Sequence, residues 1–286
     1  MPELPEVETI RRELAPRLLG RRITGADSHH SEKFLPAREV IGATVRGVIR
    51  RGKYLLAALS GGTWTAPRGG AGAAAPAVGS DGRELVMHLG MTGRLQFTDA
   101  PPPSDRYVRA WWRLDDGSVL EMHDVRRFGR VRLVAAGCYD SIPTLAQLGP
   151  EPLGADFSAA GLWTALRQSR RRVKTQLLSQ RPVAGLGNIY ADEALWRAGI
   201  NPAKRRISRA EATALHAAIG EVLRGAIARR GTTFRDYRTL LGPAGDNYAH
   251  LDCYGRGGEP CRRCGAELRS RLLDARNTTY CPACQL

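Results

Sequence analysis

Four cysteines near the end of the chain constrain its fold more than any other feature. Cys261, Cys264, Cys281 and Cys284 stand in the pattern C-x2-C-x16-C-x2-C. Two close pairs at this separation suit a closed tetrahedral site: four thiolates on one structural zinc ion, with no position open for catalysis. The residues between the pairs read as a hairpin turning near Leu273–Asp274. A ribbon this short has no core of its own, so zinc has to supply most of its folding free energy. Cys253 falls outside the pattern and reads as a spare buried thiol. Only Cys138 lies far from this cluster. Cysteines gathered in one place point to a local metal site in a reducing, cytoplasmic compartment rather than to a disulfide framework.

The rest of the chain is long enough to build a full core. At 286 residues it suits one large domain or two smaller ones. No apolar run approaches the ~18 residues of a membrane span, so no membrane association is expected. The N-terminus carries glutamates where a secretory signal would carry basic residues and then an apolar stretch. Lys and Arg total 43 against 28 Asp and Glu, a net charge of +15. Arginine supplies most of it, and its planar fork matches phosphate geometry. A solubilising surface is the alternative, but a surplus this large favours a polyanionic partner, with nucleic acid first.

Hydrophobic periodicity changes along the chain. Leu4, Val7, Ile10, Leu14 and Leu18 mark one helical face, closed by Gly20. Between 42 and 134 short β-rich segments recur without intervening helices, and LDDGSV at 114–119 reads as a hairpin turn. An antiparallel sandwich follows. The glycine-rich stretch 60–82 reads as an insertion between two strands. From about 150 the pattern turns helical, near 158–168, 172–179 and 188–198. A longer helix is expected from Ser208, which has capping-box spacing to Glu211, to about Arg230. The class is therefore α+β.

Several short motifs admit two readings each. MPELPEVETI begins a helix with proline and glutamates, which suits a first turn. It equally places a secondary amine beside a carboxylate once methionine is removed. GLGNIYADE at 185–193 is a turn feeding a helix, with Asn188 as cap; with RRRVK at 170–174 nearby it reads as a phosphate site or as a plain helix connection. RRGKY places Lys53 at the start of an apolar strand. HDVRRFGR sets Phe128 among arginines, where it could wedge into a base stack or fill a core. His88 and Met91 in HLGMTGRL are packing residues on their own evidence.

Taken together and in order, PELPEVET (2–9), RRGKYLL (50–56), HLGMTGRL (88–95), DVRRFG (124–129), GLGNIYADE (185–193), YGRGGEPC (254–261) and the zinc ribbon resemble one family. It is that of the formamidopyrimidine-DNA glycosylases, within the larger group that includes endonuclease VIII-like enzymes. PELPE, rather than PEGPE, points to the oxidised-purine branch. The resemblance implies an N-terminal antiparallel β-sandwich with a flanking helix (1–150), a helix–two-turn–helix domain (151–252) and a four-cysteine zinc ribbon (253–286), with damaged double-stranded DNA in the cleft. It implies a monomeric, bacterial-type base-excision repair enzyme, both glycosylase and AP lyase.

The resemblance also implies roles. Pro2 is the nucleophile, Glu3 the acid/base, Glu6 a brace for the N-terminal segment and Lys53 a phosphate contact near the lesion. Asn188 and Arg276 hold flanking phosphates, and Lys174 and His88 are further backbone contacts. Met91, Arg126 and Phe128 fill the gap left by the flipped base, Arg126 facing the orphaned cytosine. The 60–82 insertion exceeds the family's usual connection. The loop at 232–250 lies where the family covers the flipped base. The rival readings are an endonuclease VIII-like glycosylase for oxidised pyrimidines and a non-catalytic DNA-binding zinc protein.

Overall fold

The helical stripe at the N-terminus is used as its spacing predicts. In a computed structural model describing residues 1–62, 82–99, 105–233 and 237–286, helix α1 spans Leu4–Leu18 and buries Val7, Ile10, Leu14 and Leu18. Strands follow as β1 (Ile23–Ser28), β2 (Thr44–Arg51), β3 (Tyr54–Ser60), β4 (Arg83–His88), β5 (Arg94–Thr98), β6 (Val108–Leu114), β7 (Val119–His123) and β8 (Arg130–Ala135), then a short helix α2 (Pro143–Ala146). They form two antiparallel four-stranded sheets, ordered β1-β6-β7-β5 and β2-β3-β4-β8. The expected turn at 114–119 joins β6 to β7, with Gly117 at φ 88°. Most of the 60–82 insertion lies outside the described residues.

Aliphatic side chains from both sheets and α1 meet in one buried cluster, with Trp112 and Phe34 as its largest members. The Trp112 indole N–H donates to the Ala37 carbonyl at 3.1 Å, so its one polar atom is satisfied within the core. Tyr237 and Leu240 pack on the same cluster. Accordingly, the chain divides into one unit of Met1–Pro2, Glu6–Ala146 and Thr232–Gly245 and another of Glu3–Pro5, Gln147–Gly231 and Asp246–Leu286.

The second unit holds α3 (Ala159–Arg167), α4 (Val173–Leu178), α5 (Asn188–Arg197), α6 (Arg209–Ala228) and the hairpin β9 (Arg269–Leu273) and β10 (Arg276–Tyr280). The capping box at the start of α6 forms as read. Ser208 Oγ accepts from the Glu211 amide at 3.1 Å, and Glu211 Oε2 accepts from the Ser208 amide at 2.7 Å. Leu4 belongs to this unit's apolar cluster, with Leu186, Tyr190 and Leu195. The ribbon hairpin turns at Asp274 and Ala275, with φ of 47° and 62°, the two positive values that a tight two-residue turn requires.

Candidate active site and metal centre

Helix α5 organises the second unit's site. Its N-terminal amides are occupied by the chain's own Glu3. Glu3 Oε2 accepts from the Gly187 amide at 2.7 Å and the Tyr190 amide at 3.3 Å, and Oε1 accepts from the Ile189 amide at 2.9 Å. A carboxylate here meets both unsatisfied N–H groups and the positive end of the helix dipole. Gly187 is required because a side chain there would collide with the Glu3 carboxylate. The anion-binding turn read from GLGN is thus filled internally, not kept open for phosphate. Asn188 is the first helical residue, not the cap. The cap is Gly187, and the Asn188 side-chain amide donates to the Asn277 carbonyl of β10 at 2.9 Å.

Three further α5 side chains fix the ribbon, and the motif reading missed them. Asp192 accepts from the Thr279 amide at 3.0 Å and pairs with Lys174 at 2.7 Å. Glu193 accepts from the amides of Asp252, Cys253 and Tyr254 at 2.7–2.9 Å. The Trp196 indole N–H points to Cys261 Sγ at 3.4 Å. The available signal was chemical: carboxylates and an indole interrupt an otherwise apolar helix at positions facing one neighbour. Desolvation pushes Asp192 up and Lys174 down, and their mutual attraction opposes both shifts.

Lys174 departs from its expected role as a DNA-backbone contact. Its side chain is 1% exposed. Its ammonium has three donors. They reach Asp192 at 2.7 Å, Thr278 Oγ1 at 2.8 Å and the Asn277 carbonyl at 3.1 Å. Nothing remains to offer a phosphate. Arg276, by contrast, is exposed at the foot of the ribbon turn. The turn itself is tied to α4 by Asp274, which accepts from Arg172 at 2.5 Å and from Thr175.

The Sγ atoms of Cys261, Cys264, Cys281 and Cys284 lie within 4.8 Å of one another. Tetrahedral Zn–S bonds of about 2.3 Å place sulfurs about 3.8 Å apart, so this set fits zinc. The Trp196 indole and the Cys284 amide, 3.3 Å from Cys281 Sγ, point N–H groups at thiolates. Such donors orient ligands and offset their charge. Desolvation pushes the Cys281 and Cys284 thiols up, so zinc binding has to displace their protons. Cys253 is buried outside the four and donates to the Thr279 carbonyl at 3.0 Å, as a spare thiol would.

In the first unit, Lys53 follows Gly52 in the two-residue turn between β2 and β3; Gly52 has φ 55°. Lys53 is only 7% exposed. Glu8 of α1 steadies this hairpin through Arg50 at 3.2 Å. Against desolvation, hydrogen bonds from Arg11 and Arg12 and the charge of Arg50 keep Glu8 below the usual carboxylate range. His88 pairs in register with Tyr54, and their rings lie 4.6 Å apart. Desolvation, then the charges of Arg130 and Lys53, lower its pKa to about 3. Its Nδ1 accepts from the Gly90 amide at 3.1 Å. His88 is therefore neutral, with its proton on Nε2 as a donor.

Met91 and Phe128 are 40% and 42% exposed, unusual for large apolar side chains in adjoining loops. The Arg126 guanidinium lies 4.6 Å from the centre of the Phe128 ring. Pro2 is buried and peptide-bonded to Glu3. Glu6 Oε1 accepts from the Thr232 amide at 2.8 Å.

A sandwich preceding a helical unit with a four-cysteine ribbon defines a zinc-bearing α+β protein with an N-terminal Pro-Glu pair. Family profiles match throughout: the formamidopyrimidine-DNA glycosylase N-terminal domain over residues 1–131, the H2TH domain of the same glycosylase over 148–238, and the zinc finger found in FPG and IleRS over 258–286. The formamidopyrimidine-DNA glycosylase of Deinococcus radiodurans is 41% identical, covering 100% of this chain and 97% of its own. That of Herpetosiphon aurantiacus is 40% identical, covering 100% of both. The MutM (Fpg) structure from Thermus thermophilus superposes with a TM-score of 0.85 at 40% identity, over 99% of this chain and 98% of its own. A Lactococcus lactis Fpg complex with abasic-site DNA gives 0.83 at 33% identity, covering 99% of each. The chain belongs to the formamidopyrimidine-DNA glycosylase family.

Proposed function

We propose that this chain excises oxidised purines, 8-oxoguanine and formamidopyrimidines, from duplex DNA and then cleaves the abasic strand. The observation that carries the reading is Glu3, next in the chain after Pro2 and seated on the amide of the α5 cap Gly187 and on those of Ile189 and Tyr190 in its first turn. With methionine removed, Pro2 has a secondary amine. Its lone pair attacks C1′ as the C1′–base bond breaks, and the base leaves with a proton. Loss of the amine proton and opening of the sugar give an iminium, which divides one hard step into two. Glu3 serves the proton transfers to and from the sugar. The iminium accepts the electron pair released at C2′, which expels the 3′ phosphate; a second elimination expels the 5′ phosphate.

Lys53 and His88 contact phosphate near the lesion, His88 as a neutral N–H donor. Asn188 and Arg276 hold flanking phosphates, and the net charge of +15 draws the duplex in. Met91, Arg126 and Phe128 enter the gap left by the flipped base and offset part of the unstacking cost. Lys174 acts through Asp192 in holding the ribbon. In functional terms the chain divides into a catalytic sandwich (1–150), a helix–two-turn–helix domain with a lesion-covering loop (151–252) and the ribbon (253–286). Three residues of that loop, 234–236, lie outside the described residues. We place the enzyme in the bacterial cytoplasm, as a monomer on DNA. Among the described residues no helix is long and apolar enough to cross a membrane.

Borohydride trapping on a duplex with one 8-oxoguanine opposite cytosine tests the reading. Protein beginning at Pro2 should give a covalent adduct that maps to Pro2. Tight lesion binding without an adduct would overturn the catalytic assignment. Faster excision of thymine glycol than of 8-oxoguanine would move the enzyme to the pyrimidine branch.

A further inference from the structure

The loop 89–93 between β4 and β5 carries Met91, and the loop 124–129 between β7 and β8 carries Arg126 and Phe128. The side chains joining these loops have no role in the chemistry above. Asp124 is fully buried, and both of its carboxylate oxygens are used. Oδ1 accepts from the Thr92 hydroxyl at 2.6 Å, and Oδ2 accepts from the Gly129 amide at 2.6 Å. Having donated its proton to Asp124, Thr92 Oγ1 accepts from the Arg126 amide at 3.3 Å. Arg109, also buried, donates Nε to the Asp124 carbonyl at 2.7 Å and Nη1 to the Arg106 carbonyl at 2.9 Å. The backbones themselves touch. A Cβ on Gly90, at φ 64°, would stand 2.5 Å from the Gly129 nitrogen.

We propose that Asp124, Thr92 and Arg109 are positioning residues that hold Arg126 and Met91 in one fixed arrangement and so set which base is accepted opposite the lesion. The proposal rests on the roles given above to Met91 and Arg126. The Gly129 and Arg126 amides can only donate, so Asp124 Oδ2 and Thr92 Oγ1 accept from them, and the Thr92 hydroxyl proton is directed at Asp124 Oδ1. The arrangement therefore has a single hydrogen-bonding solution. Thr92 is its pivot, since one hydroxyl ties the Met91 loop to the amide of Arg126. A loop ordered before DNA arrives loses no conformational freedom on binding. The Arg126 side chain then meets the orphaned base from a fixed origin, and a mispaired base cannot recruit it by shifting the loop. Without the brace, the loop could adjust to either base and selectivity would fall.

Asp124 is too deeply buried for a clean substitution, so Thr92 is the place to test. The measurement is the ratio of single-turnover excision rates for 8-oxoguanine opposite cytosine and opposite adenine. It is made on wild type, Arg126→Ala, Thr92→Val and Thr92→Ser. Lyase cleavage of a single-stranded abasic oligonucleotide, which has no opposite base, is followed for the two Thr92 variants. Thr92→Val should lower the ratio at least fivefold, in the same direction as Arg126→Ala. Thr92→Ser, which keeps the hydroxyl, should stay within twofold of wild type, and both Thr92 variants should keep the lyase rate. An unchanged ratio in Thr92→Val, with selectivity lost in Arg126→Ala, overturns the brace alone. A lyase rate that falls in step with excision in Thr92→Val also overturns it, by showing general damage. An unchanged ratio in Arg126→Ala overturns the proposal together with the reading of Arg126.

Discussion

The zinc ribbon and the paired loops of the sandwich both present side chains from tight turns, but they are made rigid by opposite means. The loops at 89–93 and 124–129 grow from sheets that share a large apolar cluster, and buried polar groups only set their detail. The ribbon's apolar cluster is small: Trp196, Cys253 and Leu268 with two of the zinc ligands, Cys261 and Cys281. Polar contacts add to it, from Asn188, Asp192 and Glu193 on α5 and from Arg172, Lys174 and Thr175 at α4. Similar surface tasks can thus rest on burial in one place and on coordination and buried charge in another. The two regions should therefore fail separately.

Zinc removal should have the largest effect. Structural zinc in small fingers contributes on the order of 10 kcal/mol. Chelation should strip hydrogen-exchange protection from β9 and β10, while β3 and β4 keep theirs. Protection retained in the zinc-free ribbon would erase the contrast, because polar anchors alone would then suffice.

Breaking the buried pair comes next. Asp192→Ala leaves Lys174 buried without its counter-charge, which should cost about 3–5 kcal/mol. Asp246→Ala is the control, since its pair with Arg230 is roughly half exposed. That change should cost within about 1 kcal/mol. Urea unfolding of both variants tests the contrast, and equal losses would show that burial is not what matters at Asp192.

The smallest effect belongs to the sandwich and is set by pH. His88 titrates at about 3 in the folded chain against an ordinary value of 6.5. Below pH 6.5 the unfolded chain takes up a proton that the folded chain refuses, so stability falls on acidification through that window. Between pH 7 and 5 the loss should be about 1 kcal/mol, discounted for the partly accessible ring. His88→Gln should flatten that part of the stability curve; an unaltered slope would place the acid sensitivity elsewhere.

Much of this was legible in the chain. The cysteine spacing, the stripe of α1, the hairpin at 114–119 and the capping box at Ser208 are local patterns, and each formed where its period or turn chemistry placed it. Partners were less legible than elements. GLGN did make a turn for an anion, but the anion is Glu3, 184 residues away in sequence. Lys174 looked like a surface cation within RRRVK, yet Asp192 and β10 enclose it.

The elements, the zinc set and the family follow from residue order alone, because they depend on spacing within a few turns or strands. Which charges are buried, which amides are already occupied and which loops are bound together follow from the folded arrangement. Those outcomes depend on what the chain places opposite a residue once folded. Asp124 shows the limit: in sequence it is one acid before two arginines, and in the fold it reaches past both to Thr92 and Gly129. A carboxylate binds whatever donors the fold delivers, and sequence distance carries no record of that delivery.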